Sequence, residues 1–131
     1  SGVEKATDDP YILRRFGDFY IKLQGAIALT DQANKAIDQA WKKGHSLTEA
    51  DRGEVVLQTG SANALASSVG LEITSGIFEI MGARSATNRY GFDRFWSNIR
   101  THTLHNPLEY KRKNIGNWYV NDQYPLPTSY S

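Results

Sequence analysis

Two histidines three residues apart, His102 and His105, lie in the run Arg100-Thr101-His102-Thr103-Leu104-His105 and are the side chains best suited to chemistry in this chain. Imidazole trades a proton near neutral pH more readily than any other side chain, so general acid–base work or a ligand contact is within its reach. If a helix extends this far, the pair shares one face with Ile99. The same spacing equally suits two polar residues at a fraying helix end, and spacing alone leaves both readings open. A metal site needs more ligands than the run supplies. There is no Glu-x-x-His pair and no cysteine, and His45 stands by itself beside a turn glycine, so no metal is expected.

The charge around the histidines is one-sided. Between positions 84 and 113, Arg84, Arg89, Arg94, Arg100, Lys111, Arg112 and Lys113 face only Asp93 and Glu109, a local net charge of +5. Such a cluster suits a phosphate, which arginine grips in bidentate fashion. A solvated basic face or salt bridges between subunits would use the same residues. No phosphate-binding loop, dinucleotide fingerprint or nucleophile-elbow motif is present.

The rest of the composition narrows the setting. The chain has 131 residues, enough for one domain with its own core. Fifteen Lys and Arg against fourteen Asp and Glu give a net charge of +1, so no overall field draws it to nucleic acid or anionic lipid. No stretch approaches the roughly 20 apolar residues of a membrane span, and the first residues, Ser1-Gly2-Val3-Glu4-Lys5, lack a signal-peptide core. Absence of cysteine is compatible with a reducing cytoplasm. A soluble, cytoplasmic protein without nucleic-acid or membrane partners is expected.

The elements that must position the histidines read as helices. Asp9-Pro10 offers a cap and a first-turn proline. Apolar residues then recur at Ile12, Phe16, Phe19, Leu23, Ile27, Ala33, Ile37 and Trp41, mostly three or four apart, as one stripe. Lys42-Lys43-Gly44 is a stop signal, giving a helix over 9–44. Ser46-Leu47-Thr48-Glu49 fits a capping box and opens a second helix over 46–81. So short a connection forces antiparallel neighbours, each about 50 Å long. The second helix is crowded with small residues, Gly53, Gly60, Ala62, Ala64, Ala66, Gly70 and Gly76 among them, which implies burial on more than one side. A break at Met81-Gly82-Ala83-Arg84-Ser85, a third helix over 86–105 ended by Asn106-Pro107, then a short helical segment and an extended tail over 116–131 complete the reading. Such a set is an incomplete bundle, with a further helix expected from a missing N-terminal part, another subunit, or both.

Two stretches carry a family resemblance. Gly76-Ile77-Phe78-Glu79-Ile80-Met81-Gly82-Ala83-Arg84-Ser85-Ala86 and Tyr90-Gly91-Phe92-Asp93-Arg94-Phe95-Trp96, running on to Asn106-Pro107, resemble the C-terminal domain of the acyl-CoA dehydrogenase superfamily. The Arg-Thr-His-Thr-Leu-His-Asn-Pro run and the Tyr-Pro-x-Pro tail are similar to its dibenzothiophene monooxygenase and sulfur-acquisition branch. The fold this implies is an all-α antiparallel helical bundle whose first helix is missing. The dehydrogenases typically carry Tyr-Glu-Gly-Thr here, with the glutamate as base. Aligned through the preceding arginine, His105 falls at the tyrosine and Asn106 at the glutamate, and an amide cannot be that base. Their Gln-x-x-Gly-Gly stretch, which helps hold the adenine half of FAD, is replaced by Phe78-Glu79-Ile80-Met81-Gly82-Ala83, as suits FMN.

The resemblance implies a monooxygenase in which reduced FMN from a separate reductase meets oxygen to form a C4a-(hydro)peroxyflavin that oxygenates a small sulfur-containing substrate. His105 would contact the flavin or help stabilise the peroxide, with His102 in support, and Arg84, Arg100 and Gly82 are the candidates for cofactor contact. It also implies a homotetramer and an N-terminal helical and middle β-domain before Ser1, so the isolated chain is expected to be inactive. The alternatives are an FAD enzyme acting on acyl thioesters and a non-catalytic helical oligomerisation module.

Overall fold

The computed structural model describes residues 8–87 and 108–125, and for 81–87 and 108 the backbone alone. Three helices make up the described residues: α1 (Pro10–Lys43), α2 (Glu49–Thr87) and α3 (Leu108–Asn121), with no strand among them. The fold is all-α, as the periodicity and the resemblance both imply.

The start of α1 follows from two residues. Asp9 accepts a hydrogen bond from the Tyr11 amide at 2.9 Å, and Pro10 fills the first helical position, where its missing N–H costs nothing. Lys42 and Lys43 occupy the last turn, and Gly44 ends the helix at φ 53°, a left-handed conformation that glycine adopts without a Cβ penalty.

The capping box lies two residues further along than expected. Gly44–Ser46 form a single 3-10 turn, in which the Ser46 hydroxyl donates back to the Lys43 carbonyl at 2.7 Å. Ser46 is thereby unable to cap, and the cap passes to Thr48. The Asp51 amide donates to Thr48 Oγ1 at 3.1 Å while the Thr48 amide donates to Asp51 Oδ2 at 2.9 Å. This is the same reciprocal device, worth about 1 kcal/mol, built from Thr-x-x-Asp.

Asp51 also joins the hairpin's two arms, taking a hydrogen bond from Lys43 Nζ at 2.7 Å. That bond first, and the two from Thr48 after it, hold the Asp51 carboxyl down at about 2. A depressed folded value means that this contact stabilises the hairpin above the ordinary carboxylate range, near 4, and is lost as pH falls through about 2. In a carboxyl NMR titration Asp51 should show a midpoint near 2, rising in Lys43→Met; a midpoint near 4 in the unmodified chain would contradict the arrangement.

The two long helices run antiparallel in register. Arg15 pairs with Glu79, Lys22 with Glu72, and Lys43 with Asp51, so each step forward along α1 is matched by an equal step back along α2. Between the ion pairs the core is arranged large against small. Phe19 lies against Gly76, Ala26 and Val69 line one groove, and Ala33 and Ala62 line another.

The buried and half-buried positions of α1 are 12, 15, 19, 22, 26, 29, 33, 36 and 40, the alternating three-and-four spacing of a helix seam. The single apolar stripe expected from sequence is thus split. Ile12, Phe19 and Ala33 face α2, whereas Phe16, Leu23, Ile27, Ile37 and Trp41 are exposed on a neighbouring face. Their exposure leaves α1 with a second apolar seam that no described residue covers.

Burial on two sides of α2 explains its small residues. Ala62, Val69 and Gly76 are buried on one side, seven residues apart, and Gly53, Leu57, Gly60 and Ala64 on another. The expected break at 81–85 is absent, because α2 continues through Gly82 to Thr87. One interior glycine costs only about 1 kcal/mol, and no proline enforces a stop. The first two positions of the helix expected over 86–105 therefore belong to α2, and the rest of that element lies outside the described residues. The tail expected over 116–131 begins later, since α3 continues through Gly116 to Asn121 and only 122–125 are extended.

Candidate functional site

The histidine run begins beyond the described end of α2 and finishes just before α3. His102, His105 and Arg100 lie outside the described residues. Gly82 and Arg84 fall on the last turns of α2, helical in backbone, and the Arg84 side chain also lies outside. How these five residues meet one another is therefore left to proposal.

The described residues that follow the run in sequence build the anchor that holds α3. Gly60 lets Ile115 approach α2, the distance from an added Cβ to Ile115 Cδ1 being 3.9 Å. Gly53 gives closer access still: a Cβ there would stand 2.5 Å from both Cβ and Cγ of Tyr124, so only glycine fits. Asp122, at φ 56°, turns the chain after α3 and brings Tyr124 back, with the Trp118 and Tyr124 rings 6.3 Å apart. Asn117 Nδ2 donates to Gln123 Oε1 at 3.1 Å and closes the same turn. Pro125 is buried on α2 beside Val56, Gly60 and Lys111.

This anchor changes the reading of the basic cluster. Lys111 is 4% exposed, and burial pushes its ammonium below the usual lysine range. Arg112 pairs with Glu109 at 3.1 Å, while Lys113 is exposed. The C-terminal end of the cluster is thus buried at Lys111 and locally paired at Arg112, while Arg89, Arg94 and Arg100 lie outside the described residues. Among the described residues no group of three or more His, Cys, Asp or Glu could hold a metal ion, and His45 is exposed in the 3-10 turn.

A feature that sequence reasoning missed is the open groove between α1 and α2, about 580 Å³, lined by Thr30, Asn34 and Ile37 from one helix and Asn63, Ala66 and Ser67 from the other. Its signal was present in the second seam of α1, which reads as part of one broad stripe until the burial is known. Tyr124 belongs to the extended tail expected from the sequence, but its partner on α2 was not legible. Its contact with Gly53 joins residues far apart in sequence, and only the seven-residue spacing of Gly53 and Gly60 hinted that something approaches α2 closely there.

An antiparallel all-α hairpin with a docked third helix defines the class. The acyl-CoA dehydrogenase C-terminal domain matches residues 1–110, and the chain belongs to that family. It is 47% identical over 127 residues to dibenzothiophene monooxygenase from Rhodococcus erythropolis, covering 97% of this chain and 30% of that protein. It is 40% identical over its full length to SfnC of Pseudomonas putida, described as a probable FMNH2-dependent monooxygenase, of which 33% is covered. The FMN-bound crystal structure of TdsC from Paenibacillus sp. A11-2 superposes with a TM-score of 0.92 at 44% identity, covering 99% of this chain and 32% of that one. The chain spans about a third of the length of these relatives. No helix among the described residues is long and apolar enough to cross a membrane.

Proposed function

We propose that this chain is the C-terminal helical domain of a reduced-FMN-dependent monooxygenase acting on a small organosulfur substrate. The observation that carries this reading is 47% identity to a dibenzothiophene monooxygenase across 97% of the chain, together with Asn106 standing where a dehydrogenase of acyl thioesters needs a carboxylate. Bound FMN, once reduced, supplies the activation of molecular oxygen. The chain's own part is to present His105 at the reacting centre with His102 beside it, and to offer Arg84, Arg100 and Gly82 to the cofactor. What supports that part among the described residues is the docking of α3, which follows the histidine run in sequence, and the burial of Lys111, which takes one cation out of the basic cluster. A separate flavin reductase, a homotetrameric assembly and a cytoplasmic location belong to the same reading.

The test uses the full-length protein with a flavin reductase, FMN, ¹⁸O-labelled oxygen and dibenzothiophene or a small sulfinate. Label in an oxygenated sulfur product is the expected result. Bleaching of a bound FAD by acyl-CoA, with no labelled product, would place the protein among the dehydrogenases instead.

A further inference from the structure

A Cβ added at Gly53 would meet the root of the Tyr124 side chain, at 2.5 Å from both its Cβ and its Cγ and 2.7 Å from its Cδ1. Turning the ring about the Cα–Cβ bond moves Cγ but leaves Cβ where it is. Restoring ordinary carbon contact, about 3.5 Å or more, therefore takes about 1 Å of movement by the backbone that carries Tyr124. Seven residues along α2, a Cβ added at Gly60 would stand 3.9 Å from Ile115 Cδ1, which is ordinary contact and displaces nothing. Two glycines that look alike in sequence thus differ in effect, since Gly53 fixes a position and Gly60 leaves room.

That position is passed on to α3. The backbone between Tyr124 and the helix is short and closed on itself. Asp122, at φ 56°, donates its amide to the Trp118 carbonyl at 2.8 Å, and the side chains of Asn117 and Gln123 are hydrogen-bonded at 3.1 Å. Pushing Tyr124 away from α2 thus pushes on the last turn of α3. The helix has few contacts with which to resist, because Lys111 is its one buried side chain among the described residues, and Tyr110, Tyr119 and Val120 are exposed. A helix of 14 residues carries a displacement of one end to the other. It begins at Leu108, three residues after His105, so chain connectivity keeps His105 within about 10 Å of that start.

We propose that Gly53 and Tyr124 are positioning residues for His105: their close fit sets where α3 sits on α2, and α3 sets the attachment point of the histidine. The proposal rests on the reading of His105 as the group at the reacting centre, where misplacement by about 1 Å can cost on the order of a hundredfold.

Two readouts on the full-length protein test it, one of them independent of turnover. Modification of the flavin-free protein by diethyl pyrocarbonate, followed by mass spectrometry, reports the surroundings of His105 relative to His45, which sits in the 3-10 turn and not on α3. In Gly53→Ala and in Tyr124→Ala the relative rate at His105 should change severalfold. With reductase, FMN and dibenzothiophene, the ratio of oxygenated product to peroxide should fall at least about tenfold, while the FMN concentration for half-maximal rate and the sedimentation of the protein stay as in the unmodified enzyme. Tyr124→Phe keeps the ring and should match the unmodified enzyme in both readouts, as should Gly60→Ala. An unchanged rate at His105 in Gly53→Ala would overturn the proposal, whether or not the protein oxygenates sulfur. So would an equal effect of Gly60→Ala, or a loss of FMN affinity or assembly in step with the loss of product, which marks a merely structural role. A changed rate at His105 with coupling preserved would uphold the link from Gly53 to His105 and remove the histidine from the reacting centre.

Discussion

Gly76→Val is expected to lower the stability of the α1–α2 hairpin by about 3 kcal/mol, the upper part of the range for forcing volume into a packed core. An added Cβ at Gly76 would stand 2.2 Å from Phe19 Cζ and 2.8 Å from Arg15 Nη2. Arg15 can yield, because it is the end of a long side chain at the edge of the seam. Phe19 cannot yield easily, since it is 5% exposed and its ring lies edge-on to Phe16 at 6.3 Å between centroids and under the Arg15 guanidinium at 5.2 Å. Two effects oppose each other in Gly76→Ala, where the gain in helix propensity of about 1 kcal/mol offsets part of the steric cost. That variant should still be destabilised, by about 1 kcal/mol. Gly25→Ala is the control, because a Cβ there meets nothing within 4 Å and only the propensity gain remains. Denaturant midpoints at unchanged slope would measure all three. If Gly76→Val were as stable as the unmodified chain, the contact between Phe19 and Gly76 could not be as close as described.

The same residue shows where a sequence is informative and where it stops. Gly76 is visible as one of many small residues on the second helix, and that density led correctly to burial on more than one side. Which small residue meets which large one depends on the register between α1 and α2, which the connection sets. There two capping boxes overlap, Ser46 with Glu49 and Thr48 with Asp51, and both are chemically sound. The 3-10 turn decides between them by using the Ser46 hydroxyl for its own closure, a choice made by three-dimensional geometry rather than residue type. The helix start at Asp9-Pro10 and the stop at Gly44 were legible because caps are local. The continuation of α2 through Gly82 was not, since a glycine's cost of about 1 kcal/mol is small enough for neighbouring packing to override.

The apolar faces of α1 teach a related lesson. Helical periodicity identifies apolar arcs but not their partners, and an arc wide enough for two seams reads as one stripe. Only burial separates Phe19, which faces α2, from Phe16, which does not. For the candidate site, residue type and resemblance supplied the histidines and Asn106, while the role of Lys111 was misjudged as part of an open basic cluster. Nothing local marks a lysine for burial. Its place under Pro125 follows from the turn at Asp122, which returns the chain over α2.

In the full-length protein, His105→Ala is expected to reduce oxygenated product by about a hundredfold, the lower end of what a positioned proton donor or acceptor contributes. Oxidation of reduced FMN should continue, with the lost product appearing as hydrogen peroxide, because the variant removes the group proposed to guide oxygen transfer rather than the groups proposed to hold the cofactor. His102→Ala, as the supporting residue, should lower product less and leave the ratio of product to peroxide closer to that of the unmodified enzyme. Arg100→Ala tests the other half of the assignment, since loss of a phosphate contact should raise the FMN concentration needed for half-maximal rate while leaving coupling largely intact. Product, peroxide and FMN titration measured on the same three variants thus separate chemistry from cofactor retention. Unchanged coupling in His105→Ala would remove its proposed role, whatever the family; a rise in FMN requirement with coupling preserved would move His105 from the reacting centre to the cofactor's binding contacts.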